Sequence, residues 1–111
     1  MRVALYARVS RSDKEQDPVN QLLKLRHYAT SRGWDIYGTY KDYASGASPS
    51  RPALDKMIRE GRGRHFDAVL IVRLDRLARS VKQLLTILEE LDRSGIALIC
   101  SDQEIDTKSP A

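Results

Sequence analysis

The chain opens on a largely apolar, β-prone stretch, Met1-Arg2-Val3-Ala4-Leu5, that runs on into Tyr6-Ala7-Arg8-Val9-Ser10. Side chains alternate across a strand, so Val3, Leu5, Ala7 and Val9 share one side and Ala4, Tyr6, Arg8 and Ser10 the other. Polar residues from Arg11 to Pro18 end this strand. Asp17-Pro18 reads as an N-cap with proline at the first helical position. Val19, Leu22, Leu23, Arg26 and Ala29 then recur at helical spacing, and Gly33 closes the helix. Trp34 to Tyr40 is aromatic and β-prone, a second strand ending at Lys41-Asp42. The small, polar run from Tyr43 to Ser50 predicts a loop.

Arg51-Pro52 opens a second helix with Leu54, Met57 and Ile58 on one face, and Gly61-Arg62-Gly63-Arg64-His65 breaks it. Phe66 to Val72 is continuously apolar apart from Asp67, the pattern of a central parallel strand covered on both faces. Ser80 with Gln83 three later matches a capping box. A third helix follows with Val81, Leu84, Leu85, Leu88 and Leu91 on one face. Gly95 stops it, and Ile96 to Cys100 makes a fourth strand. Strands alternating with helices predict an α/β fold of three layers: a mostly parallel sheet of about four strands, with room for a short fifth, and helices on both faces. The expected domain is 1–103. Residues 104–111 read as a polar tail that leads toward further segments.

Composition changes this picture only modestly. A hydrophobic content of 41% fits a packed domain. The net charge of +4, with arginine outnumbering lysine, leans toward a polyanionic partner and phosphate in particular. Cys100 is the only cysteine, so no internal disulfide forms, and its apolar surroundings predict a buried, inert thiol in a reducing compartment. No Cys/His cluster has zinc-ligand spacing. No signal-peptide pattern is read at the start and no apolar run reaches membrane-spanning length, so a cytoplasmic protein is the expectation.

The candidate chemistry follows from the strand order. Parallel topology brings the ends of the first and third strands to one edge of the sheet. Ser10 and Arg8 come from one end, and Asp75, Arg76 and Arg79 from just past the other. Arg51 starts the second helix after another strand-end loop, and Gln21 sits in the first turn or so of the first helix. A serine ringed by guanidiniums suits attack on a phosphodiester, because fixed cations meet the charge that builds on the phosphoryl oxygens. Ser45, Ser48 and Ser50 are rival nucleophiles, but a flexible loop positions one poorly. Taken alone, Asp75-Arg76 reads equally well as a solvated ion pair, and Asp75 as the N-cap of a short turn.

Tyr6-Ala7-Arg8-Val9-Ser10 together with Leu74-Asp75-Arg76-Leu77-Ala78-Arg79 resembles the catalytic domain of serine site-specific recombinases, the resolvase/invertase family. Gln21, Tyr43-Ala44-Ser45-Gly46 and Arg51 before Pro52 extend the resemblance over nearly the whole chain. It implies double-stranded DNA as substrate and a 5′-phosphoserine link through Ser10, followed by strand exchange and religation. It implies that Arg8, Arg76 and Arg79 hold the scissile phosphate, with Arg51 and Gln21 binding it or positioning Ser10. Tyr6 would shape the site, and Asp75 would orient the arginines or manage a proton. The resemblance also implies a homodimer that pairs into a tetramer, with no metal, ATP or other cofactor. Family members continue into a dimerising helix and a DNA-reading domain. The contrasting reading is a phosphate- or nucleic-acid-binding module, or an assembly module, of the same fold without chemistry.

Overall fold

A computed structural model describes residues 1–10, 18–44, 51–78, 80–102 and 105–106. The elements run β1 (Arg2–Ser10), α1 (Pro18–Ser31), β2 (Asp35–Ala44), α2 (Pro52–Arg62), β3 (Ala68–Ile71), a 3₁₀ turn (Leu74–Arg76), α3 (Val81–Arg93), β4 (Ala97–Cys100) and β5 (Ile105–Asp106). They form one sheet in the order β2-β1-β3-β4-β5. The first four strands are parallel, and β5 pairs antiparallel with β4. The expected α/β class and parallel sheet are present. The short fifth strand pairs Ile105 and Asp106 with the edge of β4.

Strand alternation divides the core into two layers. Ala4, Tyr6, Val69, Ile71, Leu98 and Cys100 face α2 and α3, where they meet Leu54, Met57, Ile87 and Leu91. Val3, Leu5, Ala68, Leu70 and Ile99 face the other way and meet Leu25 and Ala29 of α1. All four residues of β3 are buried, as a central strand covered on both sides requires. In α1 the buried stripe is Leu22, Leu25 and Ala29, and Val19 and Leu23 stay exposed. In α3 it is Leu84, Ile87, Leu88 and Leu91, and Val81 and Leu85 stay exposed. Both are corrections to the expected faces. Leu23 and Leu85 each follow a stripe residue directly and so sit about 100° round the helix from it.

Gly33 and Gly95 end α1 and α3 as expected, each with positive φ. Trp34 N–H donates to the Ala29 carbonyl and Gly33 N–H to that of Thr30. Ile96 and Gly95 make the same pair of bonds to Leu91 and Asp92, so both ends are Schellman closures. Ser80 caps α3 by accepting the Gln83 N–H at 3.1 Å. Helix α2 departs from expectation. It runs through Gly61 to Arg62, and the left-handed residue that ends it is Arg64 at φ 57°. Gly61 is a packing glycine, since a Cβ there would lie 2.6 Å from Ile96 Cδ1.

The second strand is longer than expected, reaching Ala44, and it carries a bulge. Val3 pairs with Ile36 but Ala4 pairs with Gly38, which leaves Tyr37 as the extra residue. One extra residue reverses the alternation beyond it. Ile36 therefore packs on the α1 side, whereas Tyr40 packs on the α2/α3 side with Tyr6.

Candidate active site

The carboxyl edge of the parallel sheet gathers five of the residues singled out in the sequence: Tyr6, Arg8, Gln21, Arg51 and Asp75. Tyr6 is fully buried, and Arg8 and Arg51 are nearly so. Arg51 Nη2 donates to the Tyr6 hydroxyl at 2.9 Å, and its guanidinium carbon lies 5.5 Å from the centre of the Tyr6 ring. Arg8 Nη2 donates to the Asp75 carbonyl oxygen at 3.2 Å, which ties the end of β1 to the 3₁₀ turn after β3. Gln21, from the first turn of α1, donates through Nε2 to the Arg8 carbonyl at a long 3.4 Å. Three elements that are far apart in sequence are thus hydrogen-bonded around the last residues of β1.

Ser10 is the final residue of β1, two beyond Arg8, and its backbone pairs in register with Ala44. Arg76 closes the 3₁₀ turn, which Val72 and Arg73 join to the end of β3. Arg79 lies outside the described residues, as do Asp17, the expected cap of α1, and the rival serines of 45–50. The Asp75 carboxylate is exposed, with Oδ1 3.8 Å from Arg73 Nε. Asp75 lies inside the turn, and Arg73 occupies the N-cap position.

One site residue went unrecognised in the sequence. Asp42, two residues before the end of β2, is a buried carboxylate, 4% exposed. Its Oδ2 accepts the Tyr6 O–H at 2.8 Å and the Leu54 N–H at 3.0 Å, and its Oδ1 accepts the Ala53 N–H at 2.9 Å. A faint signal did exist. The helix opening at Arg51-Pro52 has no Ser, Thr, Asp or Asn at its N-cap, so an acceptor had to come from elsewhere.

The electrostatics fit an anion site. Two guanidiniums and one carboxylate are the buried charges among the described residues, and all three stand at this edge. Burial pushes the Tyr6 phenol well above its ordinary value, against the opposing pull of Arg51. Tyr6 therefore stays protonated and donates to Asp42. Elsewhere, burial raises the Cys100 thiol to about 11, consistent with an inert core residue. No group of three or more His, Cys, Asp or Glu among the described residues is placed to hold a metal ion. No described helix is long and apolar enough to cross a membrane.

Comparison with known proteins gives a concordant answer. Residues 3–111 match the family model described as the resolvase N-terminal domain. A probable DNA-invertase, y4cG, from Sinorhizobium fredii is 38% identical over 106 residues, which is 95% of this chain and 31% of the invertase. The Tn3 transposon resolvase of Escherichia coli is 33% identical over 110 residues, 96% of this chain and 54% of the resolvase. The crystal structure of the N-terminal catalytic domain of TP901-1 integrase superposes with a TM-score of 0.86 at 36% identity, covering 98% of this chain and 83% of that one. The chain spans about half the length, or less, of these two curated relatives.

Proposed function

This chain belongs to the resolvase N-terminal domain family, and on that premise we propose that it is the catalytic domain of a serine DNA recombinase with Ser10 as nucleophile. The observation that carries the reading is the placement of Tyr6 and Arg8 toward the carboxyl end of β1, four and two residues short of Ser10, with Arg51 held on the Tyr6 hydroxyl and Arg8 on the Asp75 carbonyl. In the proposed step, Ser10 Oγ attacks a DNA phosphorus. The Oγ–P bond forms as the P–O3′ bond breaks. The serine proton passes to solvent or a nearby base, and the departing 3′ oxygen takes up a proton. The phosphoserine conserves the energy of the broken diester, so a 3′ hydroxyl from the exchanged strand attacks it in reverse and reseals the DNA.

Arg8 and Arg51 supply fixed positive charge for the phosphoryl oxygens, and Arg76 and Arg79 are proposed to complete that set. Removing one such donor slows cleavage by about 10²–10³. Gln21 steadies the end of β1 through the Arg8 carbonyl. Asp75 contributes through its carbonyl by holding Arg8. The guanidiniums carry the charge stabilisation, so the proposed reaction requires neither metal nor ATP. In the whole protein the domain is proposed to act in the cytoplasm as a dimer that pairs into a tetramer on double-stranded DNA. Target choice would fall to segments beyond this domain, because phosphate contacts position while base contacts specify.

The test mixes the whole protein carrying this domain with nicked duplex DNA bearing its candidate target and looks on denaturing gels for a covalent protein–DNA adduct. An adduct that disappears with Ser10→Ala establishes nucleophile and reaction together. An adduct that survives moves the chemistry to another residue, and a DNA-bound protein that gives none favours a non-catalytic binding module.

A further inference from the structure

Resting on that reading, we infer that Arg73 is a DNA-contact residue, taking a backbone phosphate next to the one that Ser10 attacks. Its place follows from the sheet. β1 and β3 pair as Val3 with Ala68, Ala4 with Val69 and Leu5 with Leu70. The same offset carried along both chains sets Arg73 level with Arg8. Residues alternate across a strand, so Arg73 continues the row of Val69 and Ile71, which lie on the face that carries Ala4 and Tyr6. Its backbone is still extended, at φ −146° and ψ 155°, immediately before the 3₁₀ turn. That turn stays close to β1 beyond the paired residues, since the Asp75 carbonyl accepts from Arg8 at 3.2 Å. Arg8 and Arg73 are thus neighbours on adjacent strand ends, at the edge where the scissile phosphate is proposed to lie.

The two arginines differ in what holds them. Arg8 is nearly buried and bonded to the fold. The Arg73 side chain is 53% exposed, and among the described residues its one polar partner is the Asp75 carboxylate, with Nε 3.8 Å from Oδ1. An exposed pair at that distance adds little to stability. It also engages Nε alone, and the Nη groups carry most of the donors with which a guanidinium grips a phosphate. Neighbouring strands stand about 4.8 Å apart, and successive phosphates of one DNA strand rise by about 3.4 Å along the axis. Spacings this similar let Arg8 face the scissile phosphate while Arg73 takes its neighbour. The phosphate then replaces Asp75 as the partner of Arg73, and the carboxylate screens that cation only in the free protein. Arg93 supplies a contrast. It is exposed in the last turn of α3, at the opposite edge of the sheet where β4 begins, and cannot share this contact.

The experiment measures DNA binding by the whole protein over a salt series, in the parent, Arg73→Gln, Arg73→Lys and Arg93→Gln, with melting temperature as the check on folding. Loss of one phosphate contact is expected to reduce the slope of log affinity against log salt by about 0.9 in Arg73→Gln. Binding is expected to weaken by the same factor on the candidate target and on unrelated duplex, because a phosphate contact carries no sequence information. Arg73→Lys keeps the charge and is expected to keep the slope. Arg93→Gln makes the same charge change at the far edge and is expected to leave the slope at the parent value. Duplexes with a single neutral methylphosphonate locate the contact. At one phosphate next to the candidate cleavage point, the replacement is expected to weaken the parent but to cost Arg73→Gln less than about twofold further, because the interaction is already gone. An unchanged slope in Arg73→Gln, an equal reduction in Arg93→Gln, or a full multiplicative loss at both flanking phosphates overturns the proposal, and Ser10-dependent adduct formation then still stands by itself. A parent that shows the expected slope and methylphosphonate effects but forms no adduct overturns only the recombinase reading, and a parent that binds no DNA overturns both.

Discussion

Gly61→Ala sets helix propensity against packing inside one buried site. Alanine in a helix interior is favoured over glycine by about 1 kcal/mol, so in an open helix the change stabilises. Here the new Cβ lies 2.6 Å from Ile96 Cδ1, 3.2 Å from Phe66 Cζ and 3.5 Å from Phe66 Cε2. Ordinary carbon contacts begin near 3.5 Å, so Ile96 has to retreat by about 1 Å. Both neighbours are buried, at 5% and 2% exposure. Overpacking of this kind costs about 1–3 kcal/mol, which exceeds the propensity gain. The expected net change is a loss of about 1 kcal/mol, or about 4–6 °C in Tm for a domain of this size. Urea unfolding followed by circular dichroism measures it in four proteins: parent, Gly61→Ala, Ile96→Val and the double variant. Ile96→Val removes the clashing methyl at a cost of about 0.5–1.5 kcal/mol. In that background Gly61→Ala is expected to become neutral or mildly stabilising. A Gly61→Ala protein that gains about 1 kcal/mol in the parent background refutes the close approach of α2 to Ile96.

Three further outcomes follow from local geometry. Ser80→Ala removes the acceptor for the Gln83 N–H and is expected to cost about 1 kcal/mol in chemical unfolding, with Ser80→Asp restoring it. Arg64→Gly relieves a left-handed backbone at an exposed side chain and is expected to stabilise by about 0.5–1 kcal/mol; a loss in urea midpoint would contradict the assigned conformation. The Glu60 carboxyl accepts hydrogen bonds from Tyr40 at 2.8 Å and Tyr37 at 3.1 Å. The Tyr40 bond chiefly holds it below its ordinary 4.5. A lowered folded-state value means stability that is present above the unfolded value and lost as pH falls through the folded one. Tyr40→Phe is therefore expected to narrow the fall in Tm between neutral pH and pH 3.

The sequence pattern reached the fold because strand and helix periods are local properties. The alternation at residues 3–7 and the continuous apolar run of 68–72 correspond to the two core layers of the structure. Errors arose where a residue's role depends on something distant. Gly61 looks like a helix breaker until Ile96 and Phe66 are seen against it. Leu85 looks like core by composition, yet the stripe that meets the sheet is 84, 87, 88 and 91. The candidate site was legible through its types, a serine and arginines at strand ends, since parallel topology itself brings those ends together. Asp42 was not, because nothing near it in sequence shows that it caps a helix ten residues further on.

The bulge joins these observations into one cause. Without an extra residue in β2, Ile36, Tyr40 and Asp42 would share a face, and the carboxylate would enter the layer beneath α1. Packing would then forbid it, since that layer is lined by Val3, Leu5, Leu70 and Ile99 and offers a buried charge little to bond with. With Tyr37 inserted, the first half of β2 feeds one core and the second half the other. Tyr37 itself turns outward and stacks on His65, with ring centroids 5.6 Å apart, so the extra residue has its own contact rather than a void. Beyond the bulge, Tyr6 pairs with Tyr40 and Arg8 with Asp42, and the polar ends of two strands lie side by side. A single register shift at the start of the sheet thereby decides which side chains meet at its far edge, about six residues or 20 Å away along the strand. It also explains why the site is assembled from β1, β2 and α2 together. Arg51 arrives on a helix whose first N–H groups need an acceptor, and the shifted strand presents that acceptor on the face where the Tyr6 hydroxyl already stands.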